Sequence, residues 1–301
     1  IHGSEAIGGV INISTFPEEK DSSLQLSISR GADNYRKESL QKSWHNKRDS
    51  YNVFLLKAKS DGFPSLIASS IDNGFNNKSL GGSYASEKSK TQTRLSTWIS
   101  KGRTEYLDFK SNLSSQNYEN SIHSVNFKFE HKDPYLLYLN IASSKDLINQ
   151  NQFNYKNQKD TTETDNHNIQ FMVYSPSNKD FSYIVGYEQD NQRVNYSSFG
   201  THFRKNIKTT SFFIENKIQL NRSLVGINIR FSDHDSYGLN ESWNIGYKTA
   251  LSQQWVFRFN GGSAFRSPNS SELYGYGSNL NLKPEISLGQ EVAFEKIAIN
   301  S

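Results

Sequence analysis

Apolar and polar residues alternate one by one through most of this chain, and that period of two is the strongest constraint on its fold. Val125, Phe127 and Phe129 fall on one side of a run whose other side carries Asn126, Lys128 and Glu130. Tyr135, Leu137, Leu139 and Ile141 line up in the same way, as do Ile169, Phe171 and Val173. So do Phe181, Tyr183, Val185 and Tyr187, and then Trp243, Ile245 and Tyr247. Trp255, Phe257 and Phe259 oppose Val256, Arg258 and Asn260. Strand side chains point alternately to two faces, so each run is a strand with apolar surroundings on one side and polar surroundings on the other. Helical spacing is sustained nowhere. About fourteen such strands are expected, near 24–30, 36–45, 50–60, 79–88, 92–102, 122–131, 135–144, 167–175, 181–194, 208–219, 224–232, 240–249, 254–265 and 288–297.

The polar clusters between these runs alternate in length. Short ones fall at 45–49, 132–134, 175–180 and 221–223, and long ones at 61–77, 106–121, 145–166, 195–206 and 267–285. Short turns at one end and long loops at the other are how outer-membrane barrels are built, with the long loops outside the cell. Composition agrees. Only 34% of the 301 residues are hydrophobic, yet aromatics reach 13%, with 19 Phe and 16 Tyr. A packed soluble core needs more aliphatic residues than this, and a disordered chain would not carry so many rings. A barrel satisfies both, because only every second strand residue meets lipid. The alternative is a soluble β-sandwich. Strands of about ten residues suit a tilted membrane span better than the usual ~5–6 of a soluble sheet.

Other classes are excluded. No stretch approaches the ~20 apolar residues of a spanning helix. The chain has no Cys, hence no disulfide or thiolate metal site. Its net charge of +4 is mild and scattered, unlike a nucleic-acid footprint. Paired metal-binding histidines, a nucleophile elbow and a phosphate loop are all missing, so no enzyme is expected. Asp233-His234-Asp235 reads as a polar turn.

Two motifs sharpen the class. The first is Gly3-Ser4-Glu5-Ala6-Ile7-Gly8-Gly9-Val10-Ile11-Asn12-Ile13, a tight glycine turn followed by a short strand. The second runs through Ala264-Phe265-Arg266-Ser267-Pro268-Asn269, Glu272-Leu273-Tyr274-Gly275 and Asn279–Glu285, a proline-kinked loop that re-enters a strand. The first resembles the end of the plug domain in TonB-dependent receptors, with Gly3, Ser4, Ala6, Gly8, Gly9 and Asn12 at its marked positions. The second resembles an outer loop of the same receptors. Within that family the chain looks most like the receptors for vitamin B12 (cobalamin). Leu273-Tyr274-Gly275-Tyr276, Glu291-Val292-Ala293-Phe294-Glu295 and Ser232-Asp233-His234-Asp235-Ser236 resemble runs found in them.

The resemblance implies an all-β, antiparallel transmembrane β-barrel. Residues 1–20 would be the end of a plug domain and residues 21–301 an incomplete barrel, about fourteen of roughly 22 strands. As a fragment, it should show an open, curved sheet or a strained closure with fewer strands. The resemblance further implies an outer-membrane receptor that imports a scarce, bulky small molecule, cobalamin first. A ferric siderophore or haem receptor is the alternative, and a passive porin or adhesin barrel the alternative of another class. Partners would be the lipid bilayer and the TonB-ExbB-ExbD complex, engaged through a plug segment lying before Ile1. Ligand contacts would come from Thr210, Tyr274 and Tyr276, although Thr210 also suits an ordinary strand end and the two tyrosines an interfacial anchor. No resident cofactor is expected. Calcium is not expected either, since 112–117 and 150–154 carry amides where the family's calcium-binding acids would fall, leaving Asp160, Glu163 and Asp165.

Overall fold

The computed structural model describes residues 22–67, 69–108, 110–130, 135–151, 159–175, 180–198, 200–275 and 277–297. The motif from Gly3 to Ile13, with Ser4, Ala6, Gly8, Gly9 and Asn12, and also Tyr276, lie outside them. Fourteen strands form one sheet in which every strand pairs antiparallel with its neighbours in sequence. They are β1 (Ser23–Arg30), β2 (Arg36–Asn46), β3 (Asp49–Pro64), β4 (Asp72–Lys88), β5 (Thr91–Leu107), β6 (Leu113–Glu130) and β7 (Leu136–Asn151). Then come β8 (Lys159–Tyr174), β9 (Phe181–Ser198), β10 (Thr201–Leu220), β11 (Ser223–His234), β12 (Gly238–Ala250), β13 (Trp255–Arg266) and β14 (Glu285–Lys296). The sheet order runs from β1 to β14 without β1 joining β14, the open form expected above. One five-residue helix, α1 (Ser270–Tyr274), sits in the β13–β14 connection.

Register places the alternation in space, because directly paired residues share a face. Leu26, Leu40, Leu55, Leu80 and Ile99 form one cross-strand row. Leu95, Val125, Ile141 and Ile169 form another on the same face. Val185, Ile214, Ile229 and Trp243 form a third on that face, which Val173 joins through Val185. These side chains stand open, with Leu26 69% and Phe212 60% exposed. The opposite face is polar and more enclosed, with Ser211 and Ser232 each 1% exposed. An apolar face toward lipid and a polar face toward a lumen is the two-sided logic of a membrane barrel wall. The aromatic row Trp44, Tyr51 and Tyr84, its rings 5.0–5.1 Å apart, sits at the short-turn end, where rings anchor in the membrane interface.

The strand centres agree with the sequence reading, but the long loops do not. Most of 61–77, 106–121, 145–166 and 195–206 is hydrogen-bonded ladder rather than loop. β9 and β10, for example, stay paired out to Ser198 and Thr201. Beyond the bilayer both faces of a strand meet water, so alternation fades while backbone pairing continues. At 267–285 the loop does persist. The β3–β4 hairpin also carries an irregularity: register slips between Ser60 and Phe63, with Gly62 at φ +78°. A Cβ there would lie 1.9 Å from the Asn73 carbonyl oxygen, so glycine is required.

Candidate functional site

The β13–β14 connection is where the wall folds back on itself. Asn269 caps α1: its side chain accepts from the Glu272 amide at 2.9 Å, and the Glu272 carboxylate accepts from the Asn269 amide at 2.8 Å. This capping box needs an Asn and a Glu three residues apart, which the sequence displays. Arg266 then grips Glu272 through both terminal nitrogens at 3.1 Å and reaches Glu285 at 2.6 Å. One guanidinium thereby ties the end of β13, the helix and the start of β14. The Arg266 side chain and the Asn269 amide hold the Glu272 carboxyl below its ordinary range. Leu273, 5% exposed, packs the helix inward.

These restraints aim Tyr274 at β10. Its ring lies 5.6 Å from that of Phe203, and the Lys205 ammonium sits 4.3 Å from its centre. Phe203 in turn stacks on Tyr196 of β9 at 4.9 Å. Phe203 and Lys205 share the polar face with Ser211 and Phe213, since all four are odd-numbered on one regular strand. A lumen-facing patch of three rings and one cation results, at the long-hairpin end. Such a patch suits a large, flat or anionic ligand, which stacks on the rings and pairs with the ammonium.

Thr210 is placed elsewhere. It pairs with Gln189 and Asp233 and shares the outer face with Phe212 and Ile214. The structure therefore brings Tyr274 into the patch and leaves Thr210 on the far side of the same strand. Tyr196, Phe203 and Lys205 escaped the sequence reading, because a stretch polar on both faces gives no periodic signal. The loop motif holding Tyr274 is visible in the sequence, and the Asn269 and Glu272 spacing within it signals the cap that aims that ring.

Deeper on the polar face Arg230 is 5% exposed and pairs with Glu188 at 2.8 Å. Its Nε donates to Ser232 at 3.2 Å, and Ser232 meets Ser211 at 2.9 Å. The guanidinium also lies over Phe213, whose ring covers Gly186; a Cβ on Gly186 would come within 2.1 Å of it. The acids considered for calcium are split by register. Glu163 and Asp165 share the outer face, with Glu163 bound to Lys145 and Asn195, whereas Asp160 points to the polar face. His234 accepts from the Ser236 amide at 3.1 Å, and Asp235 from the Lys208 amide at 2.9 Å, the polar turn expected. Among the described residues no cluster of three or more acids and histidines is arranged to hold a metal.

Residues 63–299 match a family model described as TonB dependent receptor-like, beta-barrel. The chain is 24% identical over 303 residues to the vitamin B12 transporter BtuB of Vibrio vulnificus, covering 97% of this chain and 49% of the relative. Against BtuB of Photobacterium profundum the identity is 23%, with the same shares. The chain thus spans about half the length of the curated relatives it matches. Among solved structures, the siderophore receptor PirA from Acinetobacter baumannii superposes with a TM-score of 0.81 at 16% identity, covering 99% of this chain and 55% of that one. A ferric enterobactin receptor mutant (PfeA) from Pseudomonas aeruginosa, in complex with enterobactin, gives 0.80 at 17%, covering 98% and 55%. At those identities the likeness is one of fold.

Proposed function

The chain belongs to the TonB-dependent receptor β-barrel family, and from that premise we propose that it is the wall of an outer-membrane receptor importing cobalamin. The observation that carries the ligand is similarity to vitamin B12 transporters along 97% of the chain rather than at one motif. The mouth patch of Tyr196, Phe203, Lys205 and Tyr274 supports it physically. Cobalamin presents a broad ring system and a phosphate, which match stacked aromatics beside an ammonium. Transport makes and breaks no bond in the ligand, so the wall's task is to hold ligand at the mouth and a plug in the lumen. Energy would come from the TonB-ExbB-ExbD complex acting on that plug, and the plug end would be the motif containing Gly3, Ser4, Ala6, Gly8, Gly9 and Asn12.

Tyr274 is the ligand contact with the best geometry. Thr210, on the lipid-side face, and Tyr276 are further candidate contacts that the mouth patch does not require. A ferric siderophore is the second reading, favoured by Lys205, since a cation within an aromatic patch also suits an anionic ring-bearing chelate. The test is to incubate the full-length receptor with cyanocobalamin and, separately, with a ferric catecholate, then measure retained cobalt and iron after gel filtration. Cobalt retention, weakened about tenfold by Tyr274→Ala, is expected. Iron retention without cobalt would overturn the cobalamin assignment.

A further inference from the structure

The lipid-side face of β2 to β5 carries an arrangement that ligand import does not use. Above the row Leu40, Leu55, Leu80 and Ile99, toward the long hairpins, the next outward row is Glu38, Lys57, Lys78, Lys101 and Glu119. Lys57 faces Lys78 directly, and Lys78 faces Lys101. Directly opposed strand residues have Cβ atoms about 5 Å apart, and like charges so placed repel. The acids at the ends relieve little of this. Glu38 turns to Arg36 at 2.8 Å, and Glu119 neutralises only Lys101, at 2.9 Å. Among the described residues neither Lys57 nor Lys78 has a carboxylate within ion-pair distance. A shallow groove of about 520 Å³ opens across both the lysine and the leucine rows.

Three ammonium groups in register are more than interfacial snorkelling supplies by default. Farther round the same face, the apolar belt ends at Gln189, Thr210 and Asp233, which carry no cation. The same face also carries Lys145, bound to Glu163, and Lys208, facing Asn191, but among the described residues lysines oppose one another in register only in this sector. Lys57, Lys78 and Lys101 stand at the boundary where the apolar face gives way to polar residues, on the side of the long hairpins, which is the outer leaflet.

We propose that this sector is a binding site for a phosphate-bearing lipid of the outer leaflet. The phosphate sits among Lys57, Lys78 and Lys101, and the acyl chains lie along Leu40, Leu55, Leu80 and Ile99. The occupant must be amphiphilic, because the groove joins the cationic row to an apolar one; a soluble anion would leave the leucines unused. Lysine suits the role, since its stem lies along apolar surface while its head reaches the interface. The inference rests on the outer-membrane reading given above but not on the identity of the imported ligand.

The experiment uses the full-length receptor purified in mild detergent and offered vesicles that contain either bisphosphorylated lipid A or its dephosphorylated form. Bound lipid is read by native mass spectrometry. The wild type should retain the phosphorylated lipid and not the other form. Each of Lys57→Gln, Lys78→Gln and Lys101→Gln should weaken retention about fivefold, and Lys208→Gln, on the same face of β10, should leave it unchanged. Equal retention of both lipids by the wild type would overturn the proposal whether or not the variants fold. Full retention by the triple variant would also overturn it, as would displacement of the lipid by inorganic phosphate alone or by an acidic protein. Cobalamin retention measured on the same samples separates failure of this site from failure of the import reading.

Discussion

The wall of β9 to β12 and the wall of β2 to β5 follow the same alternation and end in different surfaces. On the lipid side of β9 to β12 the apolar residues run through Tyr183, Val185 and Tyr187, Phe212 and Ile214, Ile227, Ile229 and Phe231, and Trp243, Ile245 and Tyr247, with Asn216 as a neutral interruption between Tyr183 and Ile227. On β2 to β5 the belt is shorter, broken by Lys42 and Gly82 and closed by the lysine row. The lumen sides differ as well. β9 to β11 bury an arginine against Glu188 and Phe213, whereas β4 to β6 present a neutral network in which Asn77 donates to Ser100 at 2.8 Å and to Tyr118 at 2.7 Å. Alternation fixes which face each residue takes. The chemistry on each face is then free to vary by sector, one matched to acyl chains and the other to headgroups.

The largest effect should separate the two lumen faces. Arg230→Ala leaves the Glu188 carboxylate with the Asn168 amide in place of an ion pair and uncovers Phe213, and removing one partner of an enclosed ion pair costs about 3–5 kcal/mol. Asn77→Ala removes neutral hydrogen bonds worth about 1 kcal/mol each. Urea unfolding of the full-length receptor in lipid vesicles measures both, and equal losses would erase the distinction drawn between the sectors. The lipid faces give the next contrast. Ile214→Lys places a charge between Val185 and Ile229 in the apolar belt at a cost of about 2–4 kcal/mol, whereas Leu80→Lys, one row below Lys78, costs about 0–1 kcal/mol near the interface. Should Leu80→Lys prove the more damaging in the same assay, the lysine row lies deeper in the bilayer than the interface.

The same comparison explains what the sequence disclosed. All fourteen strand centres were legible because inside the bilayer two unlike solvents impose a period of two on runs such as Ile169–Val173. Outside it, Thr161–Asn166 and Thr201–Lys208 meet water on both faces, so the ladder continued without a pattern to betray it. The mouth site lay in that silent region. Tyr274 was found through its motif, but Phe203 and Lys205 become its neighbours only because α1 folds back over the polar face. Thr210 shows the reverse case: the resemblance singles it out near the outer half of β10, and the register turns its side chain to the face it shares with Phe212 and Ile214. Sequence likeness carries position along a strand. It does not carry which way the side chain points.

The smallest predicted effect concerns the device that aims Tyr274. The Glu272 carboxyl, held low by the Arg266 side chain and the Asn269 amide, has a folded pKa below its unfolded value. The stability it lends the loop is therefore fully present above about pH 4.3, the ordinary glutamate value, and is lost as pH falls through the depressed folded pKa. Loop order, followed by a spin label at Ser278, should accordingly hold from pH 8 to pH 5 and loosen only in stronger acid. Glu272→Gln keeps the helix cap but breaks the bidentate grip of Arg266, so its loop should be looser at neutral pH and insensitive to acid over that window. Arg266→Lys, which retains the charge and loses the fork that spans Glu272 and Glu285, should lie between the two. If the wild-type loop already loosens between pH 6 and pH 5, the aim of Tyr274 is set by some group other than Glu272.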